Sequence, residues 1–123
     1  MYLLDMTRNI QMNDIDTWLS SVGKGWNNLI LDIHQKLLHL DPNYTILQIK
    51  EKFGTLRYYF LFSDGLDQIT IRIMNDIVAL AEDRSGFICE QCGRGARIRC
   101  KNHWYFTACF ECVPFNPDFD KEE

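Results

Sequence analysis

Two Cys-x-x-Cys pairs, Cys89–Cys92 and Cys109–Cys112, most limit what this chain can become. Sixteen residues separate the pairs, enough for a strand and a return strand. Four thiolates gathered this way suit one tetrahedral Zn²⁺, which is redox-inert and accepts four sulfurs. Such a site has no open position for water or substrate, so the expected cofactor is a single structural zinc. Gly93 follows the first pair directly and supplies the backbone freedom that so tight a turn needs.

Metal is favoured over disulfides on two further grounds. The chain has five cysteines, an odd count for a disulfide framework. It also opens without a cationic and apolar leader, and no apolar run reaches the ~18–20 residues of a membrane span. The expected location is therefore cytoplasmic, where thiols stay reduced, and no membrane partner is expected. A composition that is 46% apolar over 123 residues is enough for a real core. The formal net charge of −4 argues against coating nucleic acid by bulk electrostatics. That charge is uneven. Residues 1–83 hold seven Lys/Arg against eleven Asp/Glu, whereas Arg94–Lys101 is locally basic.

Along the chain, Asn13 or Asp14 can cap a short helix with Ile15, Trp18, Leu19 and Val22 on one face, ended by Gly23 and Gly25. A longer helix is predicted from about Trp26 to Leu40. Its apolar stripe is Trp26, Leu29, Ile30, Ile33, Leu37 and Leu38, and Asp41-Pro42-Asn43 stops it. Residues 44–62 alternate as two antiparallel strands around Phe53-Gly54, with Leu56, Tyr58, Phe60 and Phe62 on an apolar face. Ile46, Ile49 and Phe53 also fall at helical spacing, so periodicity leaves a helix open for 46–53. Another helix is expected over Asp67–Ser85, with Ile69, Ile73, Ile77, Leu80 and Ala81 facing inward and Gly86 at its C′ position. The predicted fold class is α+β, with helices packed on a small antiparallel hairpin. A C-terminal Cys₄ zinc finger of zinc-ribbon or treble-clef-like form completes it. The expected organisation is a body over 1–86, a finger over 87–113 docked on it, and an acidic tail over 114–123.

Between the cysteine pairs, a two-residue turn at Asn102-His103 sets Arg99 opposite Phe106 and Lys101 opposite Trp104. Arg97, Arg99, Lys101 and Trp104 then form a cationic and aromatic face suited to nucleic acid, phosphates on the cations and bases on the rings. The competing reading is that Arg99 and Lys101 simply cover Phe106 and Trp104. Cys100 is assigned to packing inside the finger with Ile98, Tyr105 and Thr107. His103 is an exposed turn residue or a substitute ligand, and His34 and His39 are surface or helix-end residues. No nucleophile elbow, zincin helix, P-loop or dinucleotide fingerprint occurs, so neither an enzyme nor a small-molecule substrate is expected.

The segments GW-x-x-L-I near residue 25, LDPNY at 40–44, QIKEKFGTLRYYF at 48–60 and EDRSGFICEQCG at 82–93 together resemble a group of small bacterial and phage proteins. Those proteins carry a KEKFG-x-LR segment followed by a two-pair zinc finger. The resemblance covers about residues 25–112 and implies the same body and metal site, but supplies no activity. Their last ligand is histidine where this chain has Cys112. The finger alone is similar to the Cys₄ fingers of secondary-channel regulators of RNA polymerase, without their coiled-coil arm.

Small acidic proteins of this kind are often immunity proteins that bind and neutralise a toxin domain. A basic toxin would be steered to an acidic surface, for which Asp5, Asp14, Asp16 and Asp32 are candidates. The leading expectation is thus a non-enzymatic binder of a cognate toxin. A nucleic-acid-binding finger is the alternative.

Overall fold

The computed structural model describes residues 14–115. The expectations for Asp5, for Asn13 as a cap and for the acidic tail past Phe115 lie outside the described residues. Helix α1 (Ile15–Leu19) is followed by a 3₁₀ turn (Lys24–Trp26) that runs into α2 (Asn27–Leu40). Strands β1 (Thr45–Lys52) and β2 (Thr55–Leu61) form an antiparallel hairpin, and α3 (Gln68–Ser85) packs on it. A second hairpin, β3 (Arg97–Lys101) and β4 (Trp104–Ala108), precedes a 3₁₀ turn at Val113–Phe115. The class is α+β, with two separate two-stranded sheets among the described residues.

The core is a three-sided contact between α2, α3 and the inner face of the first hairpin. Leu29, Ile30, Ile33 and Leu37 from α2 meet Ile46, Ile49, Leu56 and Tyr58 from the strands and Met74, Val78 and Ala81 from α3. Burial of each large aliphatic side chain contributes about 1.5–3 kcal/mol, which is what holds helices this short. Ile15, Trp18, Leu19 and Val22 rest on the same core, as their spacing predicted. Yet α1 stops at Leu19, before either glycine.

The ambiguity at residues 46–53 has a structural cause. The strand register slips between Ile46 and Gln48, leaving Leu47 as a bulge. One extra residue lets both Ile46 and Ile49 point inward, so a strand acquires the i, i+3 spacing of a helix. Two residues, Phe53 and Gly54, close the hairpin with φ of 55° and 84°, the left-handed pair that two-residue hairpin turns use.

Three expectations need correction. In α3, Ala81 is buried and Ile77 packs against the core as expected, but the other buried residues are Met74, Val78 and Ser85, whereas Ile69 and Leu80 are 71% and 63% exposed and Ile73 is also exposed. The helix carries two apolar faces, and the core takes the less conspicuous one. Gly86 is the C-cap residue but stays right-handed at φ −69°. A Cβ there would lie 3.2 Å from Ile98 Cδ1, a tight approach to the end of a movable side chain. His34 is no plain surface residue: its Nδ1 lies 2.5 Å from the Tyr44 hydroxyl, which bonds the Tyr58 hydroxyl at 2.7 Å. Burial lowers the His34 pKa and raises that of Tyr44 to about 12, a rise that its bond with Tyr58 partly offsets. Asp41, the buried C-cap of α2, accepts from Ser63 N–H at 2.9 Å and Ser63 Oγ at 2.6 Å. It thereby ties the end of α2 to the residues just past β2.

Candidate metal centre

The first cysteine pair sits in a tight knuckle. Gly93 N–H donates to the Cys89 carbonyl at 2.9 Å, and Cys89 N–H to the Arg94 carbonyl at 2.8 Å. Closing that turn requires φ of +84° at Gly93, a conformation that costs glycine nothing. The β3–β4 hairpin then carries the chain out and back in the predicted register, Arg99 opposite Phe106 and Lys101 opposite Trp104. Asn102 and His103 close it, both left-handed. The second pair follows in its own turn, where Cys112 N–H donates to the Cys109 carbonyl at 3.1 Å.

The four Sγ atoms of Cys89, Cys92, Cys109 and Cys112 all lie within 4.8 Å of one another, with Cys92 and Cys109 3.7 Å apart. Zn–S bonds of about 2.3 Å set tetrahedral sulfurs roughly 3.8 Å apart, so the cluster fits one ion. Cys89 and Cys109 are buried, Cys112 is half-buried and Cys92 is exposed. Their proton affinities also suit a cation. Burial raises the Cys89 pKa, but N–H groups of Cys109, Cys92 and Gln91 outweigh that and bring it down to about 6. Cys112 is pushed up to about 12, first by its hydrogen bond with Cys109. One thiolate forms readily and then opposes the next, so a bound divalent ion would let all four ionise together. With four sulfur ligands the ion would supply structural cross-linking.

The centre is fastened to the body at two places. On one side, Gly25 N–H donates to the Glu90 carbonyl at 2.8 Å, and Trp26 Nε1 to the Ile88 carbonyl at 2.9 Å. Gly23 and Gly25, predicted only to end a helix, let this backbone approach occur. A Cβ would lie 2.3 Å from Glu90 O at the first and 2.0 Å from Cys89 O at the second. On the other side, Thr107 Oγ1 donates to the Gly54 carbonyl at the tip of the first hairpin. The buried Glu90 carboxylate accepts from Thr107 N–H at 2.7 Å, linking knuckle to β4. Sequence reasoning missed Glu90, because nothing in a Cys-x-x-Cys pair marks an intervening residue as buried. An ion pair between Arg94 and Glu111 joins the two cysteine turns.

Other candidates fare unevenly. Arg97 and Lys101 are exposed and Trp104 is partly so, but Arg99 Nε donates to the Ala108 carbonyl at 2.8 Å. Their shared face is not free, because Phe106 and Ala108 on it are buried against Cys89 and Cys109. Cys100, expected inside, is exposed, since only Thr107 at the far end of its face is fully covered by the first hairpin. His103 is exposed in its turn and stands outside the cysteine cluster. Asp14 stands at the N-cap of α1 and accepts from Thr17 Oγ1 at 2.8 Å, Asp16 is exposed, and Asp32 pairs with Lys36 at 2.9 Å. Among the described residues, no hydrogen bond or ion pair joins Asp14 or Asp16 to Asp32. No helix among the described residues is long and apolar enough to cross a membrane. No protein-family model, curated protein or solved structure matches the chain.

Proposed function

We propose that this chain is a zinc-stapled protein-binding module, acting by association rather than catalysis, and that its partner is a basic toxin domain that it neutralises. The observation that carries the reading is the second apolar face of α3. Ile69, Ile73, Ile77 and Leu80 recur on one side of the helix, and three of them are exposed. A soluble helix normally turns polar residues outward, so such a stripe favours a covering partner. Asp76 and Asp83, one heptad apart, fall beside it on the helix surface and are exposed. Asp32 lines a shallow 390 Å³ hollow together with Ile77 and its own ion-pair partner Lys36, which carries the patch across to α2. Asp76 and Asp83 give the stripe one acidic edge, beside exposed Arg72 and with exposed Arg84 inside the stripe, and that edge favours a partner that is apolar with basic groups at its margin. Of the acidic residues singled out from sequence, Asp32 fits this patch, and Asp14 and Asp16 on α1 are not needed for it.

The test is co-purification with the product of the adjacent toxin gene, followed by titration of Ile73→Asp/Leu80→Asp. Two central apolar positions should together weaken the complex about 100-fold or more. Because both side chains are exposed, the unfolding midpoint should stay close to that of the parent. Undiminished binding by the double variant would overturn the docking face, and a neighbouring gene without a toxin domain would remove the toxin reading.

A further inference from the structure

The outer face of the first hairpin carries an arrangement that its own fold does not explain. Ile49 and Tyr58 pair across the strands and point into the core, so their neighbours Lys50 and Arg57 face outward. These two cations lie directly opposite each other in the register, and Lys52 follows opposite Thr55. Like charges facing across a hairpin destabilise it. No described carboxylate pairs with any of the three, since the ion pairs Asp32–Lys36 and Arg94–Glu111 lie elsewhere. Arg57 Nε is moreover buried without a hydrogen-bond partner.

The same hairpin ends in a second anomaly. Phe53 holds φ of +55° while remaining 62% exposed. A left-handed non-glycine residue costs about 1–2 kcal/mol, which Asn or Gly in the same turn would largely avoid. Lys52 Nζ stands 5.6 Å from the Phe53 ring centre, and the Tyr105 ring meets Phe53 edge-on at 6.0 Å. Tyr105 belongs to the other hairpin, so the two tips meet here. Between them lies a hollow of about 250 Å³ lined by Glu51, Phe53, His103, Trp104 and Tyr105. Cations thus lead along one hairpin to a group of partly exposed rings shared by both.

We propose that this strip binds single-stranded nucleic acid, with Lys50, Lys52 and Arg57 taking backbone phosphates and Phe53, Trp104 and Tyr105 stacking bases. Rings set beside cations favour this ligand over an acidic protein, which would use the charges and leave the rings idle. The strand must be unpaired, since a duplex hides the faces of its bases. The site shares Trp104 with the Arg97, Arg99, Lys101 and Trp104 face read from sequence but takes its cations from the first hairpin, and it lies on a different element from the apolar stripe of α3.

The experiment is fluorescence anisotropy with labelled 12-mers of oligo(dT) and oligo(U) and a poly-Glu peptide, using the zinc-loaded chain at several salt concentrations. Three phosphate contacts give a slope of about −2 in log K against log salt, and Lys50→Ala/Arg57→Ala should remove roughly two-thirds of it. Phe53→Asn separates binding from folding, because asparagine tolerates the turn. It should leave the unfolding midpoint unchanged or higher and weaken binding about 5- to 150-fold. A difference between the DNA and RNA oligomers assigns the sugar. Absence of salt-sensitive binding to either oligomer, full affinity in Phe53→Asn, or equal affinity for poly-Glu would each overturn the proposal.

Discussion

Gly25→Ala would place a Cβ 2.0 Å from the Cys89 carbonyl oxygen and 2.6 Å from the Glu90 carbonyl carbon. Both obstacles are backbone, fixed within the knuckle that carries two of the four thiols, so neither can rotate aside. The 3₁₀ segment must retreat until that contact reaches at least 3.0 Å, which real Cβ atoms respect. Retreat stretches the Gly25 N–H bond to Glu90 O, now 2.8 Å, and the Trp26 Nε1 bond to Ile88 O, now 2.9 Å. Overpacking costs about 1–3 kcal/mol and each weakened hydrogen bond about 1 kcal/mol, so the loss should be about 3–5 kcal/mol. Against a total stability of roughly 5–15 kcal/mol this is a large share, and the midpoint should fall by about 10–20 °C. Urea and thermal unfolding of the zinc-loaded protein measure it. Gly95→Ala is the control: its Cβ meets nothing within 4 Å, so stability should change by less than about 0.5 kcal/mol. A Gly25→Ala protein within about 1 kcal/mol of the parent would refute the close-approach reasoning.

Three further outcomes are expected. Metal analysis should give about one zinc per chain, and chelation should shift Trp26 fluorescence, because the indole is bonded one residue before Cys89. A metal-free protein with an unchanged spectrum and midpoint would contradict a metal role in holding this contact. Burial holds the His34 pKa below 6.5, so the unfolded chain binds the proton more readily. The stability contributed by neutral His34 is therefore present above pH 6.5 and lost as pH falls from there through the folded pKa. Urea midpoints at pH 7 and pH 5 should differ less in His34→Gln than in the parent, and equal differences would remove His34 as the cause. Asp41→Ala leaves the Ser63 N–H and hydroxyl without their acceptor and should cost about 3 kcal/mol by the same measurement.

Sequence pattern reached some of this structure and not the rest, for identifiable reasons. Local chemistry read well: the ligand spacing, both two-residue turns and the β3–β4 register follow from residues that are close in sequence. α3 misled because Ile69, Ile73 and Leu80 mark one face while Met74 and Val78 mark another, with Ile77 and Ala81 between them, and periodicity cannot say which face the core takes. Gly23, Gly25 and Gly86 read as punctuation because glycine's two uses, unusual φ and small size, look alike in sequence. Only long-range packing separates them: Gly93 has the positive φ, whereas Gly23 and Gly25 have none and are needed for room against the knuckle backbone. Glu90 stayed invisible for a related reason. Its partner Thr107 is 17 residues away, and their pairing depends on how the knuckle meets β4.

These long-range contacts decide how far the influence of an ion bound by the four cysteines would extend. The knuckle is bonded to the start of α2 through Gly25 and Trp26, and β4 is bonded to the tip of β1–β2 through Thr107 and Gly54. An ion held by the four cysteines would therefore fix two separate parts of the body at once. The apolar stripe of α3 lies outside both contacts, because Ile69, Ile73 and Leu80 face away from the buried side of that helix. The Phe53–Tyr105 contact and the hollow that Trp104 also lines join the first hairpin to the finger, so an ion holding the finger would hold these rings as well. Metal loss should then separate the two proposed surfaces. Binding through α3 should survive to the extent that the body stays folded. Stacking at the tips should fail first, leaving Lys50, Lys52 and Arg57 with a weaker attraction that still depends on salt.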